Sequence, residues 1–324
     1  MDNTVLKLLN LNFNRKSEEK DFKKVRALGF GAFGTVDLCT LQEDKFYARK
    51  GEKVAVKKMK KVPNRKMALK EARVLSKLDF PLIVRYLDSF RNARGKLCIV
   101  MEYCDFGTLE DYLTSYVTKP FPEFGIWRLI AQFCQALSFL HSQQPPILHN
   151  DLKPANILCK NETSEGVKGA ITIKIADFGV SSVLGEGSYI LVHDWIYILI
   201  LVGETPAAMY YHANPHGCSI CYVAPELLRG GDQHLTTSAD MWSLGALISF
   251  MANDRKHLFR TETDVFRWRA LRSPMRREFQ YQELHKLVLS LLSVDKHKRP
   301  SAKEVQRCMD RNPERQEAPR CECC

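Results

Sequence analysis

The chain has 324 residues, 45% of them hydrophobic and 26% charged, which excludes a small stapled scaffold, wholesale disorder and a polytopic membrane protein. Its 48 Lys and Arg against 37 Asp and Glu give a net charge of +11, a surplus that by itself points to nucleic acid or an anionic membrane surface. Its location decides otherwise: residues 45–77 hold 13 basic residues against Glu52 and Glu71, which is the whole surplus. The basic character is one local segment, and no nucleic-acid partner is expected.

Residues 1–21 read as an N-terminal extension whose apolar patch, Val5, Leu6, Leu8, Leu9 and Leu11, could form a docking helix. Asp2 and the want of a basic leader before a long apolar run argue against a secretory signal, so the cytoplasm, or the nucleus, is the expected compartment. Most of the 11 cysteines lie singly in apolar runs, as Cys39, Cys98, Cys134 and Cys159 do, and read as free thiols. From Phe22 the pattern is strand-rich: Val25–Leu28, Thr35–Leu38, Lys53–Lys57, Val84–Phe90 and Leu97–Tyr103, with one helix over Arg65–Leu78. After Gly107 it turns helical, with helices over Leu109–Val117, Phe124–Gln143, Ser238–Met251, Val265–Leu271 and Tyr281–Leu292. The expected fold is α+β and two-lobed, a small β-rich lobe at 22–103 and a larger mainly helical lobe at 104–309, with 310–324 a tail.

Five local patterns carry chemistry. Gly29-Phe30-Gly31-Ala32-Phe33-Gly34-Thr35-Val36 places three glycines between two strands, which reads either as a plain glycine hairpin or as a loop whose backbone N–H groups approach phosphates. Lys57, in the strand Val54-Ala55-Val56-Lys57, supports the second reading. Glu71 is the one acid in the basic helix and reads as a surface charge or as the partner of Lys57. The loop His149-Asn150-Asp151-Leu152-Lys153-Pro154-Ala155-Asn156 holds a carboxylate for a hydroxyl proton, a cation for the transferred group and an oxygen ligand for a divalent metal, as phosphoryl transfer requires. Asp177-Phe178-Gly179 after the strand Ile171–Ile175 adds a second metal-binding carboxylate, and Ala224-Pro225-Glu226 follows.

These motifs, in this order, resemble the eukaryotic-type protein kinases over residues 22–309. The resemblance implies an ATP- and Mg²⁺-dependent enzyme. Gly29, Gly31 and Gly34 would cover the ATP phosphates, Leu28, Phe30, Ala32 and Phe33 would belong to the same nucleotide-binding stretch, and Lys57, paired to Glu71, would bind the α- and β-phosphates. Val36, Ala55 and Leu158 would enclose the adenine, with Met101 as gatekeeper and the backbone of Glu102 to Cys104 as the hinge. Asp151 would be the catalytic base, Lys153 would steady the γ-phosphate, and Asn156 with Asp177 would hold the metal. Asp240 would brace the catalytic loop, Arg299 would pair with Glu226, and Leu75, Tyr86, His149 and Phe178 would stack as a column. Lys153 and Pro154 resemble serine/threonine kinases, which implies protein substrates with Ser or Thr, and Met101-Glu102-Tyr103-Cys104 is similar to the NIMA-related kinases.

Two departures stand out. Asn150 replaces the arginine that usually precedes the catalytic aspartate and pairs with an activation-loop phosphate, so activity is expected not to depend on that phosphorylation. The segment from Asp177 to Glu226 is 50 residues long, with an unusual insertion at 189–217 that reads as a regulatory element or as foreign sequence. Its 13-residue apolar run, Ile190–Val202, is too short for a membrane span of about 20 residues. Within that segment Ser219 would take the place of a threonine that contacts the catalytic loop. Rival readings are a small-molecule phosphotransferase, against which Glu226, Asp240 and Arg299 argue, and a pseudokinase or scaffold. The basic face at Lys45–Lys77 is either simply solvated or a dock for an acidic partner. The tail cysteines Cys321, Cys323 and Cys324 read as a solvated end.

Overall fold

The computed structural model describes residues 17–30, 34–60, 65–117, 121–161, 171–184, 219–228, 235–271 and 281–311. The apolar patch at 5–11, Gly31 to Phe33, the insertion at 189–217 and the tail cysteines lie outside these residues. The chain divides into two compact units, Met1–Gly107 with Leu158–Val180, and Thr108–Ile157 with Ser181–Cys324. The contiguous lobes expected from sequence are thus interleaved: Leu158–Val180 belongs with the first unit. No helix among the described residues is long and apolar enough to cross a membrane.

The first unit is built on an antiparallel sheet of β1 (Phe22–Phe30), β2 (Gly34–Leu41), β3 (Lys53–Met59), β4 (Tyr86–Arg91) and β5 (Leu97–Glu102), in the order β1-β2-β3-β5-β4. Period-two alternation sorts the two faces. Val54 and Val56 turn to one side with Cys39, Leu41, Leu87, Phe90, Cys98 and Val100, and Phe22, Tyr47 and Ala48 cover this core. Ser17–Asp21 is strapped onto the same side of the unit: Ser17 Oγ bonds Asp88 and lies 3.2 Å from the Tyr47 hydroxyl, and Lys45 reaches Asp21 at 2.8 Å. The part of the extension nearest the sheet therefore packs with it.

Helix α1 (Arg65–Leu75) buries Glu71, Ala72, Val74 and Leu75. It ends three residues earlier than its apolar pattern predicts, because Lys77 and Leu78 bond the carbonyls of Val74 and Leu75 in a tightened i→i+3 turn before Pro81. Strands β7 (Ile157–Asn161) and β8 (Ile171–Ile175) pair beside this sheet. Backbone bonds from Val84 to Ile175 and from Ile175 to Leu82 tie the end of β8 to the segment ahead of β4.

The second unit contains α2 (Leu109–Ser115), α3 (Glu123–His141), α4 (Pro225–Leu228), α5 (Ser238–Ala252), α6 (Glu262–Leu271), α7 (Gln282–Leu291) and α8 (Ala302–Asp310). Helix α5 is buried along nearly its whole length, as an all-round apolar helix must be. Helix α7 packs on α5, and α8 on α3. The strands β6 (Ile147–Leu148) and β9 (Ser182–Val183) form a short antiparallel ladder. Helix α8 is missed by apolar periodicity, although Ser301 and Glu304 form a capping box visible as Ser-x-x-Glu.

Cys39, Cys98, Cys104, Cys134, Cys159 and Cys308 are free thiols, as expected. Cys221 corrects that reading, since it is disulfide-bonded.

Two glycines of the loop motif differ in what they meet. A Cβ at Gly34 would sit 2.3 Å from the Lys58 carbonyl oxygen, whereas one at Gly29 would find no atom within 4 Å. Gly34→Ala is therefore expected to cost about 1–3 kcal/mol, and Gly29→Ala to stay within about 0.5 kcal/mol of the parent. Urea midpoints at unchanged m-value measure both.

Candidate active site

In the first unit the sheet register collects residues singled out by sequence. Val36 faces Lys57 across β2 and β3, and Ala55 faces Met101 across β3 and β5. All four therefore share the face opposite the aliphatic core. Leu28 and Gly29 sit at an irregularity of the β1–β2 ladder, and Phe30 is 81% exposed at the end of β1. Leu158 lies in β7, where backbone bonds from Phe106 to Cys159 and from Cys159 to Gly107 join that strand to the segment after Cys104. Gly31, Ala32 and Phe33 fall outside the described residues.

Lys57 is the electrostatic centre of this unit. Its ammonium lies 2.6 Å from Glu71 Oε1 and 2.9 Å from Asp177 Oδ1, with Lys57 and Glu71 both buried. Burial alone would pull the lysine below its ordinary value, but the charges of Asp177 and Glu71 outweigh it and hold the ammonium above it. Burial pushes the Glu71 carboxyl up, Lys57 opposes that, and Asp177 adds to it. Asp177 adopts a left-handed φ of 63°, a conformation that Asp and Asn tolerate better than most residues, and accepts a bond from the Gly179 amide at 3.3 Å. Of the two readings of Glu71, a surface charge or the partner of Lys57, the geometry selects the second.

The side chain of Glu102 is buried and takes the ammoniums of Lys160 and Lys174 at 2.9 Å each and the Arg85 amide at 2.9 Å. Burial would raise this carboxyl, but its bonds to Lys174, Lys160 and the Arg85 amide hold it below its usual value. Sequence reasoning assigned Glu102 by its backbone and missed this clamp, whose partners lie 58 and 72 residues away.

The catalytic-loop motif falls in the second unit. Asn156 Nδ2 donates to the Asp151 carbonyl at 2.8 Å and to its Oδ2 at 2.7 Å, and Lys153 Nζ lies 2.8 Å from the same Oδ2. Carboxylate, cation and amide thus meet in one loop. The loop hangs from Asp240, which is buried at the start of α5. Asp240 accepts from the backbone amides of His149 and Asn150 at 2.9 Å each, and its Oδ2 lies 2.9 Å from His141 Nε2. Burial would raise this carboxyl, but the bond and charge of His141, with further help from His149, hold it below its ordinary value.

Asn150 has a φ of 64°, and its Nδ2 donates to Ser182 Oγ in β9 at 2.9 Å. Nothing in the local sequence announces His141 or Ser182, because both partners are made by the fold. Arg299 donates to both oxygens of Glu226 at 2.6 and 2.8 Å, as expected, and also to the carbonyls of Ser238 and Ser293. Its guanidinium lies 5.0 Å from the Trp242 ring centroid. Of the predicted column, Leu75, Tyr86 and Phe178 belong to the first unit and His149 to the second. Residue 219 lies in a short 3₁₀ turn ending at Tyr222.

Residues 22–308 match the protein kinase domain family. Among similar curated proteins, the serine/threonine-protein kinase Nek8 of Danio rerio is 29% identical over 287 residues, 88% of this chain and 36% of that protein. The serine/threonine-protein kinase Nek11 of Homo sapiens is 31% identical over 288 residues, 86% and 38% respectively. The serine/threonine-protein kinase tousled-like 2 of Xenopus tropicalis is 32% identical over 188 residues, 58% and 24%. The chain spans little more than a third of the length of the first two, and the two Nek proteins agree with the NIMA-related resemblance.

Because the folded value of Asp240 is depressed, its stabilising effect is present above its unfolded value of about 4 and is lost as pH falls through the folded value. Asp240→Asn, which removes the charge and one acceptor, is expected to cost about 2–3 kcal/mol at pH 7. The gap between parent and variant should close as pH is lowered below about 4. Urea unfolding across pH 3–7 measures both.

Proposed function

This chain belongs to the protein kinase domain family, and from that membership we propose that it is an ATP-dependent serine/threonine protein kinase. Members of the family use ATP and typically Mg²⁺. The observation that carries the reading is Lys57 held between Glu71 and Asp177 at 2.6 and 2.9 Å, a buried cation oriented as well as charged. One ammonium beside two carboxylates leaves the cluster formally negative, and its Asp177 carboxylate offers hard oxygens; in the second unit the Asn156 amide oxygen, whose nitrogen is turned to Asp151, is a donor of the same kind. Such donors fit Mg²⁺. Held by the Asp177 carboxylate, Mg²⁺ would supply charge neutralisation at the phosphates.

The remaining roles follow from the chain's own groups. Lys57 would hold the α- and β-phosphates, with Gly29 leaving the backbone open to their approach. Val36, Ala55, Met101 and Leu158 would form an apolar seat for the adenine, and the backbone of Glu102 and Cys104 would bond its edge. Asp151 would orient the substrate hydroxyl and accept its proton, while Lys153, tethered to the same carboxylate, would stand by the transferred phosphoryl group. Exposed Arg49, Lys50, Lys53, Lys60 and Lys77 are the part of the basic segment offered to an acidic partner.

Activity is further proposed to be independent of activation-loop phosphorylation. Asn150 joins the catalytic loop to β9 by an uncharged hydrogen bond, and the β6–β9 ladder adds backbone bonds. Neither link needs a phosphate to complete it.

With Mg²⁺-ATP and a generic Ser/Thr peptide, the parent protein should transfer phosphate. Asp177→Ala and Asp151→Asn should each lower kcat by about 10²-fold or more. Equal signals from the parent and Asp177→Ala would remove the kinase reading and leave a scaffold. Phosphatase treatment should leave most of the activity intact, and near-complete loss would overturn the proposed independence.

A further inference from the structure

Tyr222 ends the 3₁₀ turn that leads into Ala224-Pro225-Glu226, the segment to which the resemblance to protein kinases gives a platform for a polypeptide substrate. The inference rests on that reading and concerns what holds the platform in place. Tyr222 is only 4% exposed, and the chain is pinned there through both backbone and side chain. Its carbonyl accepts from Ser243 Oγ at 2.7 Å, and its hydroxyl lies 3.1 Å from Nδ1 of His257. Four residues on, Arg299 grips Glu226 through both carboxylate oxygens. Val223 to Pro225 are thus fixed from either side.

His257 reaches this position because the chain reverses after α5. Asp254 and Arg255 are both left-handed, with φ of 48° and 64°, and Arg255 is anchored to the Leu113 carbonyl. The imidazole returns against α5, stacked on Phe250 with ring centroids 4.9 Å apart. Edge-on, it meets the Tyr222 ring at 5.7 Å and 85°. The ring is therefore located by two aromatic contacts as well as by its hydrogen bond. A buried phenol requires a polar partner, and His257 is the partner that the structure supplies. Burial and the Arg260 cation keep this imidazole below its ordinary value, so the ring is neutral near pH 7 and has one acceptor and one donor nitrogen.

We propose that His257 is a positioning residue for the protein substrate, fixing the buried segment 222–226 through the Tyr222 hydroxyl. It touches neither nucleotide nor acceptor hydroxyl. The residues proposed to hold the adenine and the α- and β-phosphates belong to the other unit, so the effect falls on peptide affinity and spares that of ATP.

The test uses the full chain. His257→Leu removes the hydrogen bond at similar volume, Tyr222→Phe removes one oxygen, and His257→Asn keeps a polar group near the position of Nδ1. Steady-state assays should show the peptide KM rising roughly fivefold in the Leu and Phe variants, the scale of one buried hydrogen bond. The ATP KM should not change, the double variant should be no worse than either single one, and His257→Asn should recover most of the loss. Parallel changes in both KM values, a fall in kcat alone, or additive losses in the double variant would overturn the proposal. If His257→Leu fails to fold, Tyr222→Phe against the parent decides. Binding of a fluorescent Ser peptide, followed by anisotropy, separates the two claims. Parent protein without phosphotransfer sinks the kinase reading, whereas equal peptide affinity in parent and Tyr222→Phe sinks the role of His257.

Discussion

A buried ammonium between two carboxylates is the constraint around which the first unit is organised. Taking Lys57 out of water is costly unless it is paired, and its two partners come from separate parts of the chain, Glu71 from α1 and Asp177 from the turn after β8. Each therefore has to be delivered by its own scaffold. Helix α1 buries its Glu71 side, and the bonds of Leu82 and Val84 to Ile175 place the end of β8 beside the sheet. The glutamate and the aspartate are held through the same lysine, so a shift of either element exposes an unpaired charge. That coupling makes the position of α1 an electrostatic matter as well as a packing one.

The same logic changes the meaning of the basic segment. Thirteen Lys and Arg between 45 and 77 look like a surface for an anion, yet several are spent inside the unit. Lys45 serves Asp21 and Glu43, Lys57 serves Glu71 and Asp177, and Lys58 lies 3.3 Å from Asp37. Lys70 is largely withdrawn from water, and burial lowers its ammonium to about 8. The acids that answer these lysines lie largely outside the segment, which is why the local count overstated its free charge.

What could be read from sequence was whatever is written locally. Strands β1 to β5 follow from alternation and glycine punctuation, and Asp151, Lys153 and Asn156 fall within one six-residue stretch, so their meeting needed no tertiary knowledge. Glu71 could be named because it is the one acid in its helix. The supports were not legible in the same way. His141 meets Asp240 across 99 residues, Asn150 meets Ser182 across 32, and Lys160 meets Glu102 across 58. A histidine at a helix end or a lysine in a strand has no spacing that declares such a partner, because the contact exists only after the elements have packed. Interleaving of Leu158–Val180 with the first unit was hidden for the same reason: strand pairing, not chain order, decides membership.

The two units also differ in how they fix their chemistry. In the first, charge holds charge: Lys57, Glu71 and Asp177 at one point, Glu102, Lys160 and Lys174 at another. The second has charge pairs too, Lys153 with Asp151 and Arg299 with Glu226, but there a single carboxylate, Asp240, also holds the loop by its backbone, and the link from the catalytic loop to β9 is an amide on a hydroxyl. An uncharged bond of that kind is worth about 0.5–1.5 kcal/mol, less than a charge-assisted one, but it does not wait for a modification to supply its partner. Asn150 also suits its own backbone, since a φ of 64° is better tolerated by asparagine than by most residues. The substitution that looks like a loss when read as a missing arginine becomes, in place, a residue that satisfies the turn and ties it to the next strand.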